Sequence, residues 1–307
     1  MGFIRKEALG AFRSDDLIGL GMEADAVRRR LHPDSIVTYI LDRNISYTGA
    51  GDGAGFEAIC EKIRESLEMG GSAVCLQGVC EPGTTIEHLE SKLADIARRF
   101  PQIRLHGISA PEILAIAQSS NLSARETIAR LRAAGLASIS GNGVDMRNGG
   151  IEDWLTIHRS AHQLGMRTAA TMTFGMGESF EQRVDFLEQI SRLQEETGGF
   201  IAFIPRSAIL GGRSLEEATA VEYLKTLAIS RLYLDNIEHV QANWAAQGLK
   251  VLQMGLRFGG NDVGSVMPEE SGAKGKFTTE EELRRIIRNA GFKPVQRDTL
   301  YRTMFLN

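Results

Sequence analysis

Val37-Thr38-Tyr39-Ile40-Leu41-Asp42-Arg43-Asn44-Ile45-Ser46-Tyr47-Thr48 opens the part of the chain whose reading decides the fold. Its β-branched and aromatic residues suit a strand. Pro33, just before it, stops the helical segment that carries Ala24-Asp25-Ala26-Val27-Arg28-Arg29-Arg30-Leu31. The strand runs into Gly49-Ala50-Gly51-Asp52-Gly53-Ala54-Gly55. Residues 56–69 then place Phe56, Ile59, Ile63 and Leu67 on one helical face, and Gly70-Gly71 ends that helix. Ala73-Val74-Cys75-Leu76 reads as the second strand. Strand, helix and strand in that order are the repeating unit of a parallel α/β architecture.

The unit recurs outward from there. Helix 85–99 leads to strand 103–106, helices run through 132, and a short strand occupies 137–139. Helix 151–164, strand 168–174, helix 180–196, strand 200–204, helix 218–234 and strand 239–243 follow. Helix 247–252, strand 254–256 and a last helix at 280–290 complete the pattern. This alternation predicts a (β/α) TIM-type barrel in one domain spanning 1–307. An N-terminal helical extension covers 1–35, the barrel 36–260, and a C-terminal extension 261–307.

A chain of 307 residues suits such a barrel, which commonly needs ~250. At 43% apolar residues the core needs no disulfide or metal staple. A net charge of -4 leaves no electrostatic footprint for nucleic acid. No apolar run approaches the ~20 residues of a membrane span, and Met1-Gly2-Phe3-Ile4-Arg5-Lys6-Glu7 has no signal-peptide core. With only three cysteines, the expected location is the cytoplasm and the expected partners include neither nucleic acid nor membrane.

Parallel barrels carry their chemistry where the C-terminal strand ends converge. Polar and glycine residues stand at five such ends: Gln77-Gly78, Ser109 with Glu112, Ser140-Gly141-Asn142-Gly143, Gly175 with Glu178, and Asn261-Asp262. Any one of these is explained by strand termination and helix capping. Five in succession point to a ligand pocket. Cys60 and Cys75 sit in apolar surroundings and read as small buried hydrophobes, whereas Cys80 falls just past the second strand and is the thiol expected to reach the mouth. His158 and His162 share a helical face but have no Glu between them in the zinc-protease pattern, so they read as packed or solvated and no metal site is expected. The glycines at 49–55 lack the Lys and Ser/Thr of a phosphate loop and read as a short connector.

From about Ala24 to Tyr301 the chain resembles the radical S-adenosylmethionine enzymes of futalosine-pathway menaquinone biosynthesis, and in particular the dehypoxanthine futalosine cyclase branch. The stretch 37–48 carries this resemblance, as do Ala26-Val27-Arg28-Arg29-Arg30-Leu31-His32-Pro33-Asp34 and Glu195-Glu196-Thr197-Gly198-Gly199-Phe200. So do Arg257-Phe258-Gly259, Asn261-Asp262-Val263-Gly264-Ser265 and Gln296-Arg297-Asp298-Thr299-Leu300-Tyr301. In that family the first strand leads into a Cys-x-x-x-Cys-x-x-Cys loop holding a [4Fe–4S] cluster, and the three thiolates leave one iron open for S-adenosylmethionine. Here glycine and alanine follow instead.

The resemblance implies that Leu76-Gln77-Gly78-Val79 and Ser140-Gly141-Asn142-Gly143-Val144-Asp145 line the cofactor half of the pocket, both altered from the family pattern. Ser109-Ala110-Pro111-Glu112, Thr173-Phe174-Gly175-Met176-Gly177-Glu178 and Asn261-Asp262 keep the family's shape, while Arg206 stands where a Trp is usual. The expected ligand-binding residues are therefore Gln77, Gly78, Ser109, Glu112, Ser140, Asn142, Thr173, Glu178, Arg206, Asn261 and Asp262. Glu112, Glu178 and Asp262 are the candidates for acid–base work. The resemblance implies a degenerate relative without the [4Fe–4S] cluster. Such a chain would bind a nucleoside-like or S-adenosylmethionine-like ligand, alone, as a homo-oligomer or beside a complete paralogous enzyme. Cluster-free chemistry in the same pocket and a structural interaction role are the alternatives.

Overall fold

The computed structural model describes residues 2–47, 53–78, 84–148, 151–209, 217–266 and 278–304. Two helices precede the barrel, α1 (Arg5–Arg13) and α2 (Leu17–Leu31). The Asp16 side chain caps α2 by accepting from the Gly19 amide, and Arg28, Arg29 and Arg30 meet the negative end of its dipole.

The first strand is broken at Leu41 into β1 (Ile36–Ile40) and β2 (Asp42–Ser46). Then come α3 (Gly53–Glu68), β3 (Ala73–Gln77), α4 (Ile86–Arg99), β4 (Arg104–Ser109), α5 (Ala110–Ser119) and α6 (Ala124–Ala133). β5 (Leu136–Ser140), α7 (Ile151–Gln163), β6 (Thr168–Phe174), α8 (Phe180–Thr197) and β7 (Phe200–Ser207) continue the alternation. α9 (Ala220–Tyr233), β8 (His239–Val240), α10 (Leu249–Gly255), β9 (Asp262–Ser265), α11 (Glu280–Asn289) and β10 (Lys293–Gln296) complete it.

All ladders between these strands are parallel, in the orders β2-β3-β4-β5, β6-β7-β8 and β10-β1-β9. A few backbone hydrogen bonds join the groups into a ring. The Thr171 amide donates to the Gly141 carbonyl at 3.2 Å, bridging the end of β5 to β6. Gln241 bridges Asp262, bringing β8 to β9, and β9 pairs with β1. The result is the (β/α) barrel that the alternation predicts.

Two elements differ from the sequence reading. Residues 254–256 belong to α10 and to the turn after it, not to a strand; the strand is β9, beginning at Asp262. A run as short as Met254-Gly255-Leu256 has too few residues for periodicity to separate a helical turn from a strand. The C-terminal extension also supplies two sheet strands, since β9 and β10 flank β1 on its two sides.

Outward-facing strand residues such as Ile45, Val74, Leu105, Met172, Phe203 and Val240 are fully buried beneath the helices, each worth roughly 1.5–3 kcal/mol on burial. The two histidines of α7 are packed there too. His158 and His162 both bond Thr168 Oγ1, at 3.0 and 2.8 Å, in an aromatic cluster with Trp154 and Phe200. The inward-facing alternates are mostly polar, and they line the cavity. No helix among the described residues is long and apolar enough to cross a membrane.

Candidate functional site

A cavity of about 470 Å³ occupies the barrel interior, within the ~300–1,000 Å³ range of small-molecule sites. Its deep end is built by the C-terminal segment that follows β10. The Arg297 amide donates to the Tyr39 carbonyl at 2.8 Å, which leads the chain under the barrel. Arg297 then donates from Nε and Nη2 to the two oxygens of Asp262, at 2.5 and 3.0 Å, and Thr38 Oγ1 adds a bond of 2.7 Å. Burial opposes the guanidinium charge, but Asp262 outweighs it and holds Arg297 protonated. The guanidinium lies 3.6 Å from the centroid of the Tyr301 ring, which stacks on His239 at 4.5 Å. Burial, followed by the nearby His32, pulls His239 down to about 3, so it is neutral.

Asn261 and Asp262 therefore lie at the N-terminal start of β9 and not at the barrel mouth, which corrects their expected position. Neither is among the residues lining the cavity. The Asn261 Oδ1 accepts from Arg231 at 2.7 Å and from the Val240 amide at 2.9 Å, and its Nδ2 meets His239 Nδ1. These residues fasten the barrel floor.

The other two candidate acids are likewise occupied. Glu112 accepts from the Ser109 amide at 2.6 Å, from Ser109 Oγ and from Tyr47 Oη, closing a capping box at the start of α5. Glu178 is buried, accepts from the Gly175 and Met176 amides at 2.8 and 2.9 Å, and is held by Arg183 Nε at 2.8 Å. Neither Glu112 nor Glu178 lines the cavity, nor do Gly78, Ser109 or Thr173. Strand-end position alone does not tell a mouth residue from a helix cap, because both sites select the same side chains.

Gln77, Ser140, Asn142 and Arg206 do line the cavity, as expected. Arg206 forms no ion pair or hydrogen bond with a described side chain, so its charge faces the interior uncompensated by them. The structure adds wall residues that the sequence reading missed: Asp42, Asn44, His106, Gln241, Asn243 and Trp244. For Asp42, Asn44 and His106 the signal was alternation, polar side chains at every second position of a strand, whereas Gln241, Asn243 and Trp244 follow the short β8 and carried no such signal. Cys75 also belongs to this wall and is not a buried hydrophobe. Three buried polar atoms on lining residues have no hydrogen-bond partner among the described residues: Asp42 Oδ1, Asn142 Oδ1 and Thr299 Oγ1. Leaving such atoms unsatisfied costs about 1–3 kcal/mol each.

The cysteines do not converge. Cys60 is fully buried on α3, with Arg99 Nη1 3.7 Å from its sulfur, whereas Cys75 faces the barrel interior. Cys80, like the connector at 49–52, lies outside the described residues. No group of three metal-ligating side chains occurs among the described residues.

Residues 197–306 match the family model described as the CofH/MqnC C-terminal region. The chain is 36% identical to the cyclic dehypoxanthine futalosine synthase of Streptomyces coelicolor, over 96% of this chain and 84% of that protein. That alignment runs 339 positions against a chain of 307, so the relative carries residues that this chain lacks. A second relative is the 5-amino-6-(D-ribitylamino)uracil–L-tyrosine 4-hydroxyphenyl transferase of Methanococcoides burtonii, 33% identical over 92% of this chain and 90% of that one. Among solved structures, the [FeFe]-hydrogenase maturase HydG of Carboxydothermus hydrogenoformans superposes with a TM-score of 0.75 at 14% identity, covering 98% of this chain and 78% of that one. Methylornithine synthase (PylB) gives a TM-score of 0.63 at 14% identity, covering 96% and 94%. These solved structures share the (β/α) barrel of this chain.

Proposed function

Because the chain belongs to the family of cyclic dehypoxanthine futalosine synthase, we propose that it binds a nucleoside-like small molecule in the barrel cavity without performing cluster-dependent radical chemistry. The polar side chains that line the cavity, Asn44, Gln77, His106, Asn142 and Arg206 among them, carry this reading. Such a lining suits a polar small molecule. The amides of Asn44, Gln77, Asn142, Gln241 and Asn243 offer paired donors and acceptors suited to a heterocycle and a sugar. Trp244 adds an aromatic face, and Arg206 a cation for an acidic substituent.

A [4Fe–4S] cluster needs three thiolates at one place. The sequence holds cysteine only at 60, 75 and 80, and the first two point to opposite sides of the barrel wall. The donor set therefore does not fit the cluster. The reading that follows is a binding protein descended from an enzyme, acting alone or beside a complete paralogue.

Calorimetric titration of iron-free protein with S-adenosylmethionine and with dehypoxanthine futalosine tests it. At least one should bind, and Asn142→Leu should weaken that ligand by about tenfold, the value of one lost hydrogen bond of ~1.4 kcal/mol. Silence toward both ligands would overturn the binding role. Formation of 5′-deoxyadenosine after anaerobic iron–sulfur reconstitution would overturn the loss of radical chemistry.

A further inference from the structure

The strand register brings a thiol, an imidazole and a carboxylate together on the cavity wall. Cys75 of β3 is the direct partner of Asn44 on one side and of His106 on the other. All three line the cavity, so their side chains share one face of the sheet. His106 Nε2 donates to Asp42 Oδ2 at 2.9 Å. Asp42 lies on β2 and His106 on β4, so this bond spans β3. Its two ends stand level with Ala73, the register partner of Asp42, and with Cys75, the register partner of His106. Cys75 is thus the β3 residue level with the imidazole. With the Nε2 proton committed to Asp42, the basic nitrogen of the ring is Nδ1. A base oriented by a carboxylate next to a thiol is the arrangement that activates cysteine nucleophiles.

We propose that Cys75, His106 and Asp42 form a nucleophilic thiol relay that adds covalently to an α,β-unsaturated carbonyl compound held in the barrel cavity. The thiol proton passes to His106 Nδ1 as sulfur bonds the β-carbon. The π pair of the C=C bond moves to the α-carbon, which takes the proton back from the imidazolium. One C–S and one C–H bond form, one π bond and one S–H bond are lost, and no further reactant is needed. Charge that develops on the carbonyl oxygen meets the amide groups of Asn44, the register partner of Cys75, and Gln77, two residues further along the same face of β3. Asp42 is 12% exposed at its side chain and His106 21%, so the relay is shielded yet open to the cavity.

This goes beyond ligand binding, and its test uses none of the ligands named above. N-ethylmaleimide, a small unsaturated dicarbonyl, is the probe. Adducts at each cysteine are quantified by peptide mass spectrometry between pH 5.5 and 9, with N-acetylcysteine as the unperturbed thiol. At pH 6.5, Cys75 should react at least tenfold faster than N-acetylcysteine, and its rate should level off well below the ~8.5 midpoint of an ordinary thiol. His106→Gln should return both the rate and the pH profile to those of the free thiol, and Asp42→Asn should fall between. Near-UV circular dichroism identifies any variant that has lost its fold, and the wild-type pH profile decides the matter without the variants. A Cys75 profile that tracks N-acetylcysteine, no adduct at Cys75 at any pH, or equal rates in wild type and a folded His106→Gln would each overturn the relay.

Discussion

Asp262 shows how a residue can look like chemistry and be structure. Its two oxygens take a forked pair of bonds from Arg297, a third from Thr38, and a fourth from the Gly264 amide at 2.9 Å. Both side chains of the ion pair are almost wholly enclosed, at 5% exposure for Arg297 and 0% for Asp262. Removing one partner of such a pair strands the other charge, at a cost of about 3–5 kcal/mol. Asp262→Ala should lower stability by that amount in urea denaturation. The double replacement Asp262→Ala with Arg297→Met should recover a large part of it. If the single variant costs under about 1 kcal/mol, the pair does not fasten the floor. Nothing in the sequence marks this pair, because its members stand 35 positions apart and neither falls in a motif that pairs them. Gln77, Asn142 and Arg206 were legible because each ends or follows a strand that is itself plain in the sequence.

At the level of elements, the match between sequence and structure follows local strength of signal. β6 occupies 168–174, the span expected, because it is long and flanked by two clear helices. β9 and β10 have four residues each, and their existence depends on β1 being available to pair with them. Neither the β5–β6 seam nor the β8–β9 seam has a ladder of named strand pairs. Among the described residues the Thr171–Gly141 bond bridges the first, where two backbone bonds bridge the second. Gly141 makes the β5–β6 seam close. A Cβ there would stand 2.3 Å from the Ala169 carbonyl oxygen and 3.0 Å from the Thr171 amide, so only a glycine lets the two backbones approach. Gly141→Ala should cost about 1–3 kcal/mol and speed hydrogen exchange at Thr171 more than at the amides of the β3–β4 ladder. Uniform protection across both would show that the seam tolerates a methyl group.

Across the whole molecule, four of the six histidines are held neutral by burial: His32, His158, His162 at about 4, and His239 at about 3. In the unfolded chain they titrate near ~6.5. Below that value the unfolded state binds protons that the folded state refuses, so stability falls as pH drops and is fully present above ~6.5. Each contributes a slope of about 1.4 kcal/mol per pH unit once well below its unfolded pKa. Urea midpoints should hold steady from pH 8 to 7 and decline clearly between pH 6.5 and 5, above the range where carboxylates titrate. A flat profile down to pH 5 would show that these rings gain protons without loss of packing. Composition anticipated none of this, because six histidines in a chain of 307 say nothing about which lie beneath the sheet.

The placement of β10 against β1 has a consequence for biosynthesis. β1 begins at Ile36 and its partner β10 at Lys293, so the barrel's first strand emerges from the ribosome long before the strand that covers its edge. At ~5–20 residues per second, the interval between them is roughly 13–50 s. Asp262 is made 35 residues before Arg297, so for roughly 2–7 s it is a carboxylate destined for a dry interior that lacks its counter-charge. Closure of this barrel therefore waits for the synthesis of β10 and Arg297, and a nascent chain stalled before residue 293 presents chaperones with an open sheet edge.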